Sequence, residues 1–366
     1  MADEIAKKAC TELEGARVAP GLGDYWEEHS YEYRVYCGQG GERGPVLDGD
    51  IGEEMRKVEV GRAREGDGAA RKWLEAGLDL KCAPHIWRTR AVTDYGRTQV
   101  FRCRFNRLMT NDLLHKWNPK RYTDDKCEIC KAEGGGRLRD GVRHALLQCQ
   151  HPVVHGLVTK RHDRAVHEVA KAVERGKKGG ECMLVNAKRG ERGKGAEETV
   201  PGWMLYDDHS ETHVAVEPSE DGVVHNKPDM VLVEGLDYNE EVDRFSRRFC
   251  TVHIVEVGYC WDYAWRDKQE AKVRAYQKLR EAMLDAGWSD VKIHAVPVGA
   301  TGLMGEEVRK VWDELGLDKA GADRLCRRLM DVTWEWLVKI LRSRYAALNE
   351  VRRANEGNEG RAWDVG

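Results

Sequence analysis

The amino-acid sequence predicts an α/β fold for the second half of the chain. Residues 230–233 and 252–257 are short runs rich in β-branched residues and bounded by glycine, proline or charge, so both are expected to form buried strands. Residues 266–286 contain neither proline nor glycine and end at Gly287, which predicts a helix. The remaining predicted elements are a strand at 291–298 and helices at 306–315 and 320–353.

Two acids lie on the first two predicted strands. Asp229 follows Lys227 and Pro228 at the start of one strand, and Glu256 lies inside the other, 27 positions later. Ionised carboxylates are rarely buried without a partner, and Mg²⁺ prefers oxygen ligands, so the pair predicts a divalent cation site. Such an ion polarises a phosphodiester and activates water, which points to a metal-dependent nuclease centre. The alternative is an ordinary proline–aspartate turn.

The predicted helix at 266–286 carries two lysines in an otherwise apolar stripe. At three- and four-residue steps, the stripe contains Trp265, Lys268, Lys272, Tyr276, Leu279 and Met283. A lysine at the edge of such a stripe can reach a phosphate or a water molecule with its ammonium group while its stem stays packed. In the competing interpretation, both lysines only extend into solvent around the edge of the stripe.

Four potential metal ligands lie upstream at a spacing typical of zinc sites. Cys127 and Cys130 are followed, after thirteen residues, by His144 and Cys149. Three thiolates and one imidazole are what a closed tetrahedral zinc site requires, and four protein ligands leave no open position, so we expect a structural role. The alternatives are His151 or His155 as the fourth ligand, and free thiols beside a core histidine.

Composition indicates the class of protein only weakly. The chain has 366 residues, a formal net charge of −3 and eleven cysteines, an odd number that favours a reducing compartment over a disulfide framework. No run of 18 apolar residues occurs, so neither secretion nor membrane insertion is predicted. Basic residues outnumber acids between about 102 and 192, which predicts phosphate contacts unless these residues form a solvated helix face.

The chain is expected to divide into five regions. They are a glycine-rich, charged region at 1–90 that is partly helical or disordered, a helical metal-binding module at 91–155, an α/β domain at 156–315 with insertions near 176–200 and 234–250, a C-terminal helix at 316–353 and a disordered tail at 354–366.

Several segments, taken in order, resemble a known family. They are residues 101–114, the Cys-Cys-His-Cys set, residues 160–164 with an Arg-His-Asp sequence, the acidic segments 227–229 and 254–257, and residues 270–276 with a Lys-x-x-x-Tyr pattern. This succession is similar to the C-terminal part of the reverse transcriptases of site-specific non-LTR retrotransposons that carry a restriction-like endonuclease. That nuclease belongs to the PD-(D/E)XK superfamily. The resemblance covers roughly residues 95–315.

The resemblance implies a restriction-endonuclease-like mixed sheet flanked by helices, preceded by a small helix-rich zinc module. It implies that Asp229 and Glu256 bind Mg²⁺ or Mn²⁺, that Lys272 positions water or stabilises developing charge, and that Tyr276 supports the site. The residues expected to contact nucleic acid are Arg161, His162, Arg164 and Lys268. The expected partners are double-stranded DNA and element RNA, without a membrane, in the nucleus. The nicked target would supply a 3′-hydroxyl that primes reverse transcription.

The chain departs from the family pattern at three places. Gly258 stands where a lysine often follows the second acid, which favours Lys272 on the helix and keeps Lys268 as an alternative. The interval before Glu256 is long, so Asp237 and Asp243 compete as second ligands. No polymerase motif precedes the zinc ligands, and the Tyr206-Asp207-Asp208 sequence lies downstream of them, so no polymerase activity is expected. The alternative function is a catalytically inactive, zinc-containing nucleic-acid-binding module.

Overall fold

The computed structural model describes residues 75–79, 84–134, 138–176, 182–187, 204, 227–235, 238–239, 244–245 and 250–362. The chain separates into two units, Met1–Leu74 and Glu75–Gly366, and every described residue belongs to the second unit. Most of the predicted region 1–90 therefore lies outside the described residues. The same holds for Tyr206 to Asp208 and for the competing acids Asp237 and Asp243.

A mixed β-sheet forms the centre of the described unit. The strands are β1 Cys182–Ala187, β2 Met230–Glu234, β3 Tyr238–Asn239, β4 Arg244–Phe245, β5 Thr251–Cys260 and β6 Asp290–Gly299. The main sheet has the order β1-β2-β5-β6, with antiparallel β1–β2 and β2–β5 pairs and a parallel β5–β6 pair. The short strands β3 and β4 form a separate antiparallel pair. The predicted α/β class is thereby confirmed.

Helices make up most of the rest. They are α1 His85–Arg88, α2 Asp94–Arg104, α3 Asn111–Trp117, α4 Glu128–Ala132, α5 Pro152–Gly176, α6 Trp265–Ala275, α7 Gln277–Asp285, α8 Val308–Glu314 and α9 Lys319–Ala362, with a π-helical turn at His144–Gln148 between α4 and α5. Parallel strands cannot be joined by a tight hairpin. The helices α6 and α7 make the required connection between β5 and β6.

The two faces of β5 contact different helices. Successive side chains of a strand point to opposite faces, so Val252, Ile254 and Glu256 share one face. On that face Val252 and Ile254 belong to a buried apolar cluster with α7 residues such as Leu279 and Met283. On the other face the Tyr259 hydroxyl lies 3.0 Å from the Thr333 hydroxyl of α9. Helices therefore cover both sides of the strand that carries the second predicted acid.

The predicted helix 266–286 is in fact two helices. It breaks at Tyr276, whose φ of −99° and ψ of 4° are not helical and whose amide is shared between the carbonyls of Lys272 and Val273. The segment that carries His144, expected to lie in a helical metal-binding module, is π-helical over His144–Gln148. Both differences arise where a side chain is directed at a site, and sequence periodicity does not specify such local departures.

Three predicted boundaries differ from the structure. The limit between 155 and 156 falls inside α5, so the metal-binding module and the α/β domain share this helix. The predicted insertion 176–200 contains strand β1, and the predicted insertion 234–250 contains the short antiparallel strands β3 and β4. The tail expected to be disordered from 354 is helical to Ala362, because no proline occurs in the whole of α9 and the helix has no stop signal at 354.

Candidate functional sites

The two predicted acids, Asp229 and Glu256, lie side by side. Met230 of β2 pairs with Val255 of β5, so Asp229 stands opposite Glu256 at the point where β2 begins. The Asp229 amide donates to Glu256 Oε2 at 3.1 Å, and the Val257 amide donates to Asp229 Oδ2 at 2.9 Å. The exposed fractions of the two residues are 1% and 5%. Each carboxylate is therefore held by the backbone of the strand that carries the other.

Helix α6 and the residue after it bring two further groups to Glu256. The Lys272 ammonium lies 2.5 Å from Glu256 Oε1, and the Tyr276 hydroxyl donates to Glu256 Oε2 at 2.9 Å. The same hydroxyl lies 3.2 Å from the Lys227 carbonyl oxygen. Burial and the charge of Glu256 raise the pKa of Tyr276, so its phenol stays protonated and remains a donor. The four residues expected to form the site are brought together.

Gly258 accounts for the position of the lysines. It lies two residues after Glu256, on the same face of β5. A Cβ atom at position 258 would approach Lys268 Cε to 3.0 Å and Lys272 Cε to 3.6 Å. The stems of the two helical lysines thus occupy the space that a side chain at 258 would need. Burial and the neighbouring charge of Lys272 lower the pKa of Lys268, and the structure places Lys272 in direct contact with Glu256.

His162 has a different position from the one expected of a nucleic-acid contact. Its Nε2 atom lies 3.1 Å from Asp229 Oδ2 and 3.0 Å from the Val257 carbonyl oxygen. Burial alone would lower the pKa of His162. The hydrogen bond and the charge of Asp229 outweigh burial and raise the pKa to about 9. His162 therefore acts as a donor that orients Asp229.

Arg161 is a correction to the expected set of nucleic-acid contacts. Its exposed fraction is 0%, its guanidinium lies 4.0 Å from the centre of the Tyr259 ring, and its Nη2 donates to the Leu146 carbonyl at 3.0 Å. A side chain enclosed in this way cannot reach a phosphate. It joins α5 to the π-helical turn and to β5 instead. Arg164 is exposed and pairs with Glu168 at 2.7 Å.

The four predicted zinc ligands form a buried cluster, called here the Cys/His cluster: Cys127, Cys130, His144 and Cys149. Their ligand atoms all lie within 4.8 Å of one another. Cys130 Sγ lies 3.6 Å from Cys149 Sγ and 3.4 Å from His144 Nε2. A tetrahedron with Zn–S bonds of about 2.3 Å has S–S edges of about 3.8 Å, so the spacing fits a zinc ion. The cluster can therefore bind a metal such as zinc.

The alternatives for the fourth ligand lie outside the Cys/His cluster. His151 Nε2 lies 3.9 Å from a Glu133 oxygen, and neither His151 nor His155 belongs to the group. Among the residues that the structure describes, no second set of three or more His, Cys, Asp or Glu comes together in this way. Seven of the described cysteines are buried and are not in disulfide bonds: Cys103, Cys127, Cys130, Cys149, Cys250, Cys260 and Cys326.

One residue near the Cys/His cluster has no signal in the local sequence. Arg344, more than two hundred positions after Cys127, donates to the Cys127 sulfur at 3.4 Å. Motif spacing cannot reveal such a contact, because it depends on how α9 packs against α4 and the π-helical turn.

Two comparisons of the sequence with known proteins give no match. No family model matches the chain, and no curated protein matches its sequence. Among the described helices, none combines the length and apolarity needed to cross a bilayer.

Proposed function

We propose that the chain is a metal-dependent DNA endonuclease with a restriction-endonuclease-like core. The observation that carries the proposal is the buried pair of Asp229 and Glu256, held on adjacent strands with Lys272 in contact with Glu256. Two buried carboxylates beside one ammonium group are the arrangement that phosphodiester hydrolysis with a divalent cation requires. The Cys/His cluster would hold a structural zinc ion on the neighbouring module.

The acidic pair suits Mg²⁺ or Mn²⁺, because both residues offer oxygen ligands and the cation would offset their buried charge. When bound, the cation would polarise the phosphodiester and lower the pKa of a coordinated water. Tyr276 fixes the orientation of Glu256, and His162 fixes that of Asp229. Lys272, 28% exposed at its side chain, can stabilise the charge that develops on the phosphate.

The proposed reaction is hydrolysis of one strand of duplex DNA. Water attacks the phosphorus atom, the bond to the 3′ oxygen breaks, and that oxygen takes up a proton. The products carry a 5′-phosphate and a 3′-hydroxyl. In the retrotransposon context suggested by the family resemblance, the 3′-hydroxyl would prime reverse transcription of element RNA by a polymerase, and the reaction would take place in the nucleus.

A plasmid-nicking assay tests this function. Conversion of supercoiled to open-circular plasmid is followed with Mg²⁺ and with EDTA for wild type, Asp229→Asn, Lys272→Ala and, as a control, Lys310→Ala, an exposed lysine of α8. We expect nicking only with Mg²⁺, and losses of at least 100-fold in the first two variants, since each removes a group that acts on the transition state. Equal nicking by all four proteins would refute the assignment.

A binding measurement on the same proteins separates catalysis from binding alone. If wild type binds duplex DNA tightly but does not nick it with Mg²⁺ or Mn²⁺, the chain is a nucleic-acid-binding module whose site no longer turns over. Binding is therefore measured for each variant by fluorescence anisotropy. We expect Asp229→Asn to bind DNA within about threefold of wild type, because replacing a carboxylate by an amide does not remove any basic contact.

A further inference from the structure

Arg344 is buried at the junction between α9 and the Cys/His cluster. Its exposed fraction is 1%, which is unusual for an arginine unless all its donors are used. Nη1 donates to the Cys127 sulfur at 3.4 Å, and Nη2 donates to Asp140 Oδ1. The guanidinium group thus lies between a metal-ligating sulfur and a carboxylate.

Asp140 is itself firmly held. Its second oxygen accepts a hydrogen bond from the Asn111 amide at 3.0 Å, and its own exposed fraction is as low as that of Arg344. Asp140 also follows Arg139, which forms an isolated β-bridge with Lys126, the residue before Cys127. The carboxylate and the first zinc ligand therefore belong to one rigid corner of the module, and Arg344 is directed into that corner from another helix.

The metal-bound Cys/His cluster and Asp140 together carry buried negative charge, which a positively charged side chain can offset. A divalent metal ion bound by three thiolates and one neutral imidazole carries a net charge of −1, and Asp140 brings the total to −2. Burial of uncompensated charge is strongly unfavourable. Arg344 reduces the total to −1, and it donates a hydrogen bond to the sulfur of Cys127, one of the proposed metal ligands.

We propose that Arg344 is a positioning residue of the metal site, and that metal binding at the Cys/His cluster is coupled through Arg344 to the docking of α9. The coupling is reciprocal. The metal ion strengthens the anchor of α9, and α9 supplies the charge that stabilises the metal site. The proposal does not depend on the nuclease assignment.

Helix α9 also connects Arg344 to the central sheet. Ten residues before Arg344, the Trp334 indole donates to the Thr301 carbonyl at 2.7 Å, and Thr333 contacts Tyr259 of β5. Ten residues of α-helix span about 15 Å. Loss of the metal ion therefore loosens α9 at Arg344, about 15 Å from the part of the same helix that contacts the strand carrying Glu256.

Zinc affinity of the full-length chain tests the proposal. Competition with a chromophoric chelator is measured for wild type, Arg344→Met, Arg344→Lys and the control Arg352→Met, whose arginine lies two turns further along α9 and pairs with Glu128 at the surface. We expect a 10- to 100-fold loss for Arg344→Met, as is typical when a group supporting a metal ligand is removed. We expect a smaller loss for Arg344→Lys and a change within about threefold for Arg352→Met. Wild-type affinity in Arg344→Met, or an equal loss in the control, would overturn the proposal.

A second measurement does not require any variant to fold. Hydrogen exchange of the wild-type chain is compared with and without zinc. We expect amides of α9 from about 340 to 352 to exchange faster without zinc, because the anchor at Arg344 is weakened. Unchanged protection of this segment on zinc removal would contradict the coupling.

Discussion

At the scale of single residues, the contacts of Glu256 show why its ammonium partner does not have to come from strand β5. Its carboxylate receives hydrogen bonds from the Asp229 amide, the Tyr276 hydroxyl and the Lys272 ammonium group. Because Gly258 has no side chain, the lysine stems of α6 can approach this face of β5. The ammonium group therefore arrives from the helix rather than from the strand.

We expect the ammonium group of Lys272 to be replaceable by a lysine at position 258 of β5. Lys272→Ala removes one of the two lysine stems beside position 258, the other being the flexible Lys268 side chain, and Gly258→Lys introduced in that background places an ammonium group on the same face of β5 as Glu256. We expect the double variant to nick plasmid at least tenfold faster than Lys272→Ala alone. Gly258→Ala in the Lys272→Ala background is the matched control. No difference between the double variant and this control would count against a positional role of the ammonium group.

At the scale of secondary-structure elements, the two strands beside the acids could be predicted from sequence, whereas the break in the following helix and strand β1 could not. Residues 230–233 and 252–257 formed strands as expected, because β-branched runs flanked by turn residues have few alternatives. The break at Tyr276 was missed, because it depends on hydrogen bonds to Glu256 and Lys227 from distant segments. Strand β1 was missed because its flanking residues are rich in glycine and lysine, a composition that favours loops.

The pairing of β5 with β6 predicts a loss of stability in acid. His253 of β5 and His294 of β6 are buried and stacked, with Nδ1 of the first 2.8 Å from Nε2 of the second. Glu314 lies 3.7 Å from His294, and Glu234 lies 3.5 Å from His253. Burial, followed by the charges of His253 and Lys292, lowers the pKa of His294 to about 3 in spite of the nearby carboxylate.

The sign of the pH effect follows from this lowered pKa. In the unfolded chain, His294 takes up a proton near pH 6.5, whereas in the folded chain it stays neutral down to about pH 3. The contribution of His294 to stability is therefore complete above pH 6.5 and decreases by up to about 1.4 kcal/mol per pH unit below it. We expect His294→Gln to lose less stability than wild type between pH 7.5 and pH 5 in thermal unfolding. Parallel pH curves would contradict the assignment.

At the scale of the whole molecule, α5 joins the acidic site to a basic groove. The groove has a volume of about 420 Å³ and is lined by basic residues of two helices, Lys171 and Arg175 of α5 and Arg324 and Arg328 of α9. Glu168 and Asp318 also line it, and Glu168 pairs with Arg328. On α5, Lys171 and Arg175 lie about 13 and 20 Å from His162 along the helix axis. A DNA backbone that leaves the proposed acidic site along α5 would pass both residues.

We expect this groove to contribute to DNA binding. Lys171→Glu combined with Arg175→Glu should weaken duplex binding and make the slope of log affinity against log salt less steep by about 2, the value for two lost phosphate contacts. Lys310→Glu with Lys339→Glu is a control that reverses two positive charges outside the groove. Fluorescence anisotropy between 50 and 200 mM salt measures the slopes. An equal effect of both double variants would indicate that only net charge matters.

The composition of the site could be predicted from the sequence, but its contacts could not. The motif order identified Asp229, Glu256, Lys272 and the four residues of the Cys/His cluster. It misplaced Arg161, which is enclosed beside Tyr259, and gave His162 a role in binding rather than in orienting Asp229. Arg344 was not identified at all, because its relation to Cys127 exists only after α9 has packed.

In the proposed mechanism, Asp229 and Glu256 together bind the divalent cation that cleavage requires. Crystals of the chain grown with MnCl₂ and a duplex oligonucleotide would locate the ion by its anomalous scattering. We expect a Mn²⁺ peak within about 2.0 to 2.3 Å of one oxygen of each carboxylate, and no such peak in Asp229→Asn. An active wild-type protein whose Mn²⁺ lies elsewhere, or contacts neither acid, would contradict the claim.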